Sequence, residues 1–343
     1  MISDLTSFSD SVSIIAGAYP TSISYFDKDN NGINDICFID GFNRTLNLLI
    51  RNNSGLPEWW FSLPLFETES SVIVSNRNPR FKTFYCFTWD KKLIEVLTAD
   101  LKNNIYSRNS LYSPGKIKDL KIKPGNDKLY AAFLKDDYLG VTIFTPRHGR
   151  YSAYSIKDIH KNVLDAALSV SGNAEVYYAA VENDSILIGE KFLETDRKES
   201  EISTGLNSDY RVLLYAGNFS KKRGSSLYGF LNSEKHNNLA FFLGPKDFII
   251  SRENSGIDDF RIIDKNQLFF GELRLNSSVK VYLLDDNLHA IYSLDQGESK
   301  INHDLIAGDI FARSFFVKNM NTQAFHLVYI NKNENCITIK ELK

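Results

Sequence analysis

Asp27-Lys28-Asp29-Asn30-Asn31-Gly32-Ile33-Asn34-Asp35 places oxygen-bearing side chains at its first, third, fifth and ninth positions around a glycine that permits a sharp turn. A short loop of this kind wraps a hard cation. Calcium takes six to eight oxygens at about 2.3–2.6 Å, and Asp27, Asp29, Asn31, Asp35 and the backbone carbonyl of Ile33 supply a ligand set. The loop is not an EF-hand, because that pattern needs a bidentate Glu at position twelve and flanking helices, and position twelve here is Phe38. On either side stand Ile23-Ser24-Tyr25-Phe26 and Ile36-Cys37-Phe38-Ile39, short runs rich in β-branched and aromatic residues. The loop therefore joins two strands of a hairpin.

Working outward, the same grammar recurs: an apolar strand, a polar turn, a second strand, a short loop and a third strand. First strands are expected near Ser22, Ser71, Ile117, Val163, Tyr210, Asp259 and Asp309, at intervals of 46 to 50 residues by subtraction. Such a period is close to that of a propeller blade. In the third unit the strands are Lys118–Ile122, Leu129–Phe133, Val141–Phe144 and Tyr151–Tyr154; the fifth repeats the order with Val212–Tyr215, Leu227–Phe230, Leu239–Phe242 and Phe248–Ile250. Second and third strands are almost continuously apolar, as strands covered on both faces must be. The last unit offers only three strands, Ile310–Val317, Phe325–Ile330 and Cys336–Ile339, whereas residues 11–16 have no unit of their own. The expected architecture is a single all-β domain over 1–343, a seven-bladed β-propeller of four-stranded antiparallel blades. Residues 11–16 would complete the last blade and close the ring, removing an exposed edge. The charged stretch Leu193–Glu201 has no apolar stripe and reads as an excursion between the fourth and fifth units.

Composition agrees. Aromatic residues make up 13% of the chain, with 24 Phe and 17 Tyr against 2 Met, which suits strands and turns better than helices. An apolar content of 43% excludes global disorder. A formal net charge of -2 provides no long-range attraction to nucleic acid or an anionic membrane, so neither is an expected partner. No apolar run approaches the roughly 18 residues of a membrane span. Cys37, Cys86 and Cys336 lie far apart inside apolar strand patterns, which reads as three buried hydrophobes rather than a zinc site or a disulfide framework.

Residues 16–55, with the Pro20 lead-in, the DxDxNGxxD loop, the apolar strand behind it and the third strand Thr45-Leu46-Asn47-Leu48-Leu49, resemble the FG-GAP or VCBS repeat of integrin alpha-subunit propellers and exported bacterial proteins. The resemblance implies that the loop joins the first two strands of a blade and holds one structural calcium through Asp27, Asp29, Asn31 and Asp35. Asn31 replaces a family Asp, leaving three carboxylates and weaker binding, and the matching turns of other units have lost the ligand set. It also implies an extracellular, cell-surface or periplasmic location and a role in recognition or adhesion. The residues Met1-Ile2-Ser3-Asp4-Leu5 lack a basic region followed by an apolar core, so export requires a leader already removed.

Ligands of a propeller generally bind where loops between second and third strands gather. Those loops contain Arg44, Trp89, Asp137, Tyr138 and His236, and the doublet Trp59-Trp60 adds a possible aromatic surface. Charges of both signs with amphipathic aromatics suit a protein partner, or a glycan. The six histidines are scattered without HxxxH or HExxH, and no GxSxG, Walker or GxGxxG pattern occurs. The expected function is a non-catalytic interaction module. The alternatives are a carbohydrate-active propeller enzyme, whose carboxylates come from separate blades, and a structural subunit of a larger assembly.

Overall fold

The computed structural model describes residues 12–16, 20–26, 35–51, 57–68, 70–75, 83–100, 105–113, 115–125, 127–136, 138–147, 150–153, 156–170, 173–195, 200–217, 226–233, 236, 239–243, 248–251, 268–275, 278–285, 290–294, 301–305, 315–318, 325–331 and 336–342. All regular structure among them is β-strand. In chain order the strands are β1 (Val12–Ala16), β2 (Pro20–Phe26), β3 (Asp35–Asp40), β4 (Thr45–Arg51), β5 (Pro57–Pro64), β6 (Ser71–Ser75), β7 (Thr83–Asp90), β8 (Leu93–Asp100) and β9 (Ile105–Tyr112). They continue as β10 (Ile117–Pro124), β11 (Leu129–Lys135), β12 (Tyr138–Arg147), β13 (Arg150–Ala153), β14 (Lys157–Lys161), β15 (Val163–Ser169), β16 (Glu175–Glu182), β17 (Ser185–Phe192), β18 (Ser200–Asn207), β19 (Arg211–Gly217), β20 (Ser226–Asn232), β21 (Leu239–Leu243) and β22 (Phe248–Ser251). The last are β23 (Leu268–Leu275), β24 (Ser278–Asp285), β25 (Ala290–Leu294), β26 (Ile301–Leu305), β27 (Phe315–Lys318), β28 (Phe325–Asn331) and β29 (Cys336–Leu342).

Two compact units result. The first comprises Met1–Tyr112, Arg147–Tyr151 and Leu305–Lys343, and the second Ser113–Pro146 and Ser152–Asp304. In the first, β2-β3-β4-β5 and β6-β7-β8-β9 are antiparallel meanders, and a third sheet runs β1-β29-β28-β27. Strand β2 lies beside both β6 and β27, so the first strand of each sheet faces its neighbours. The chain's first described strand thus pairs with its last: Val12 stands opposite Ile339 and Ser13 opposite Thr338. In the second unit the meanders are β15–β18, β19–β22 and β23–β26, with a further sheet that runs β10-β11-β12 and in which β14 also pairs β12.

Burial explains the pattern. Strands β3 and β11 are buried at every position, and β7 and β8 at all but their ends. In the first unit Cys37, Ile39, Leu46 and Leu48 pack against Ile73, Phe84, Cys86 and Leu97, joining two sheets into one core. In the second, Tyr130, Ala132 and Leu134 meet Ala166, Val176 and Tyr178, and Ala179, Ile186 and Ile188 meet Val212, Leu214 and Phe241. Glycine permits the tightest of these contacts. A methyl group added at Gly229, opposite Phe241 on the next strand, would lie 1.9 Å from Phe241 Cε1, and one at Gly189, opposite Tyr178, 2.1 Å from Tyr178 Cζ. Each ring lies across the neighbouring strand in space that only a missing side chain provides.

Two boundaries differ from expectation. Lys157-Asp158-Ile159-His160-Lys161 adds a strand to the third unit, polar because ladder bonds to β12 rather than burial hold it. The stretch beginning at Leu193 lies within a sheet, between β17 and β18, and its end joins β18, where Ser200 and Glu201 pair with Glu190 and Gly189. The expected sixth start at Asp259 lies outside the described residues; the sheet expected there has four strands that begin at Leu268.

Candidate functional site

The second-to-third-strand turns carry the candidate binding groups. In the first unit Asp40, buried at the end of β3, organises the first turn. Its Oδ1 accepts N–H groups from Phe42 at 2.9 Å and Asn43 at 3.2 Å, and its Oδ2 accepts Asn43 Nδ2 at 2.7 Å. An aspartate bonded to the backbone two and three residues ahead is a preorganised turn. Arg44 follows with φ of 53°, and its carbonyl accepts the Leu65 N–H at 2.8 Å. This arrangement holds Phe42 out at the tip, 81% exposed.

Residues beyond Leu65 connect this turn to the next sheet. Thr68 Oγ1 donates to the Gly41 carbonyl at 3.4 Å, Ser71 Oγ donates to the Thr68 carbonyl at 2.6 Å, and the Trp89 N–H donates to the Ser70 carbonyl at 3.0 Å. The second turn is Lys91-Lys92, with Lys91 at φ 48°; Asp90, Lys91 and Lys92 are exposed. Beside it Tyr112, paired with Leu93, is 74% exposed. Trp89 departs from the loop reading: it belongs to β7 and is buried, because the turn begins only after Asp90.

In the second unit Tyr138 opens β12, exposed, with the ammonium groups of Lys135 and Lys161 at 5.9 and 5.7 Å from its ring centroid. Lys135 is itself buried and ion-paired with Asp158. On the adjacent β14, His160 packs its ring at 4.9 Å from that of Tyr178. The Tyr178 hydroxyl donates to Glu201 Oε1 at 2.8 Å, and burial followed by that carboxylate pushes the phenol pKa up, keeping it a donor. His160 Nε2 stands 3.7 Å from the same oxygen. The next turn, Asn183-Asp184, has φ of 48° and 60°, the mirror-image geometry that matches strand twist. His236 lies over Tyr210 at 5.7 Å, with its Nε2 3.3 Å from Asn207 Nδ2 and 4.0 Å from Asp209 Oδ2.

The first strands of three sheets in this unit also carry polar ties. Lys121 Nζ lies 2.7 Å from Asp119 Oδ2, Asp165 Oδ2 accepts the Leu214 N–H at 2.8 Å, and Lys123 Nζ donates to the Ala216 carbonyl at 2.6 Å. Burial lowers the Lys121 pKa, but Asp119 and Asp165 outweigh it and raise the value overall. These groups satisfy one another and lock neighbouring sheets.

Of the expected calcium ligands, Asp27, Asp29, Asn31 and Ile33 lie outside the described residues, as does Asp137. Asp35 opens β3, fully buried and opposite Phe26, so its carboxylate sits at the point where the loop enters the sheet. The side chains of Trp59 and Trp60 are likewise outside the description; on the backbone Trp60 is the extra residue of a bulge, because Phe61 pairs Leu48 and Trp59 pairs Leu49. Among the described residues no group of three or more His, Cys, Asp or Glu is placed to hold a metal, and no helix is long and apolar enough to cross a membrane. Phe42 falls in the expected binding loop Gly41-Phe42-Asn43-Arg44 without being one of its expected contact residues, and Tyr112 lies outside every expected loop. The available signal was an aromatic set inside turn-forming residues, Gly41-Phe42-Asn43 and Tyr112-Ser113-Pro114.

Solved structures share this arrangement of sheets. Hydrazine synthase of Kuenenia stuttgartiensis is similar with a TM-score of 0.60 and 11% identity, over 96% of each chain. YCF48 bound to D1 peptide is similar with a TM-score of 0.56 and 13% identity, over 97% of this chain and 94% of that one. The N-terminal domain of Nup159 is similar with a TM-score of 0.54 and 9% identity, over 97% and 94%. The fold is that of the β-propellers. No protein-family model matches the sequence, and no curated protein does. At such identities the likeness carries architecture and nothing of chemistry.

Proposed function

We propose that the chain is a non-catalytic, seven-bladed propeller that binds a protein partner through its second-to-third-strand turns. The observation that carries this reading is the preorganised display, in the first unit, of aromatics beside charges: Phe42 and Tyr112 with Arg44, Lys91 and Lys92. Rigid rings supply contact area at low entropic cost, and mixed charges at the rim select the partner. Two structural neighbours are in keeping with such a role, YCF48 being bound to D1 peptide and Nup159 standing in a complex with Dbp5 and Gle1. Pairing of β1 with β29 supports a ring closed by the two ends of the chain.

Within the same proposal, the 27–35 loop holds one structural calcium, and Asp35 anchors it from β3. The ion would neutralise clustered carboxylates and stiffen the hairpin; binding of the partner does not pass through it. Extracellular, cell-surface or periplasmic location follows from the repeat resemblance. Affinity capture from the native source, followed by calorimetry with the purified captured protein, tests the reading. A stoichiometric protein complex is expected; no protein, together with specific binding on a glycan array, would replace it with a sugar-directed function.

A further inference from the structure

Phe42 and Arg44 on the first turn, and Lys91 and Lys92 on the second with Tyr112 beside it, stand exposed on two adjoining sheets. Asp40 saturates its oxygens with Phe42 N–H, Asn43 N–H and Asn43 Nδ2, so the first turn cannot fold its aromatic tip inward without breaking those bonds. The stretch from Leu65 to Ser71 ties this turn to β7 through the Thr68 and Ser70 contacts, so Phe42 and the Lys91-Lys92 turn belong to one braced edge. The exposed charges on the two turns are Arg44, Lys91 and Lys92 against Asp90, three positive to one negative, on a chain whose formal net charge is -2. The connecting stretch adds the carboxylate of Glu67, whose Oε1 accepts the Thr68 N–H at 2.7 Å, so the described charges of the edge are three positive to two negative.

We propose that this end of the first unit docks an acidic protein segment that carries an apolar side chain. The inference rests on the protein-binding reading and assigns its site and partner chemistry. Phe42 and Tyr112 are the apolar anchors, being large rings exposed to water in the free chain that a partner would bury, and the cations form the rim that attracts the acidic flanks. Charge complementarity selects an acidic occupant over a basic one, since like charges across an interface oppose binding. A sequence-neutral nucleic-acid contact would require a far larger cationic field than three side chains.

Selection of random twelve-residue peptides displayed on phage, against the full chain, tests this directly. Enriched peptides should carry Asp and Glu around one aromatic or aliphatic residue, and labelled copies should bind in fluorescence anisotropy. Phe42→Ser and the pair Lys91→Glu with Lys92→Glu should each weaken them roughly tenfold, and added salt should weaken them further. Both variants should melt like the parent, as substitutions at exposed tips do. Enrichment of basic peptides, no enrichment over the Phe42→Ser chain, or affinities indifferent to both variants would overturn the proposal. So would a concentration-dependent dimer abolished by Phe42→Ser, which would make a second copy the occupant. A native protein partner whose binding ignores these variants would remove this site and leave the protein-binding reading standing; failure to capture any protein would remove that reading itself.

Discussion

Gly189→Ala tests the close packing of the second unit at its tightest point. The added methyl would lie 2.1 Å from Tyr178 Cζ and 2.4 Å from both Cε2 and the hydroxyl oxygen, where carbon atoms normally approach to about 3.5–4.0 Å. The ring must therefore retreat by roughly 1.4 Å or more. It has little room to move, because Tyr178 is fully buried in the cluster that holds Ala132, Val141, Val176 and Leu187, with the His160 ring centroid 4.9 Å from its own. Overpacking of a filled core costs about 1–3 kcal/mol, and displacement of the hydroxyl from Glu201 adds about 0.5–1.5 kcal/mol. We expect a loss of about 2–4 kcal/mol, read as a lower denaturation midpoint in urea at unchanged slope. Tyr178→Ala vacates the same space, so the double variant should be less destabilised than the sum of the single ones by at least about 1 kcal/mol. A Gly189→Ala protein within about 0.5 kcal/mol of the parent, or additive single effects, would refute this packing argument.

Three further outcomes are expected. Burial raises the Glu95 carboxyl pKa and Arg108 opposes it only in part, so its contribution to stability is present below the unfolded value of about 4.3 and is lost as pH rises through the folded one; Glu95→Gln should gain in melting temperature relative to the parent between pH 4 and pH 8, and a constant difference would contradict the assignment. Deleting residues 1–18 removes β1, exposes the edge of β29 and should lower the melting temperature by several degrees, whereas an unchanged melt would argue against closure by the chain ends. Calcium should raise the melting temperature, with EGTA reversing the gain; a calorimetric titration without heat in the millimolar range would remove the ion.

Much of the fold was readable because second and third strands such as β3, β7, β8 and β11 are buried on both faces. Runs such as Leu129-Tyr130-Ala131-Ala132-Phe133 and Val176-Tyr177-Tyr178-Ala179-Ala180 have no polar interruption, and the turns between them do. Outer strands were harder to read. Lys157–Lys161 is held by hydrogen bonds to β12, a partner distant enough in sequence that no local pattern reports it. The site was legible as a set of turns and not as a set of side chains. Trp89 and Phe42 are both aromatics at a strand-to-turn boundary, yet Trp89 precedes its turn and is buried while Phe42 sits within the Asp40-capped turn and is exposed. Three residues of displacement along the chain, and one capping carboxylate, decide which ring meets a partner.

Hydrogen–deuterium exchange of the chain with and without its purified protein partner addresses the central claim most directly. Binding through the turn end predicts new protection at residues 41–44, 90–93 and 112, with the outer strands β5 and β18 unchanged. Protection confined to those outer strands, or no change on adding any captured protein, would contradict it.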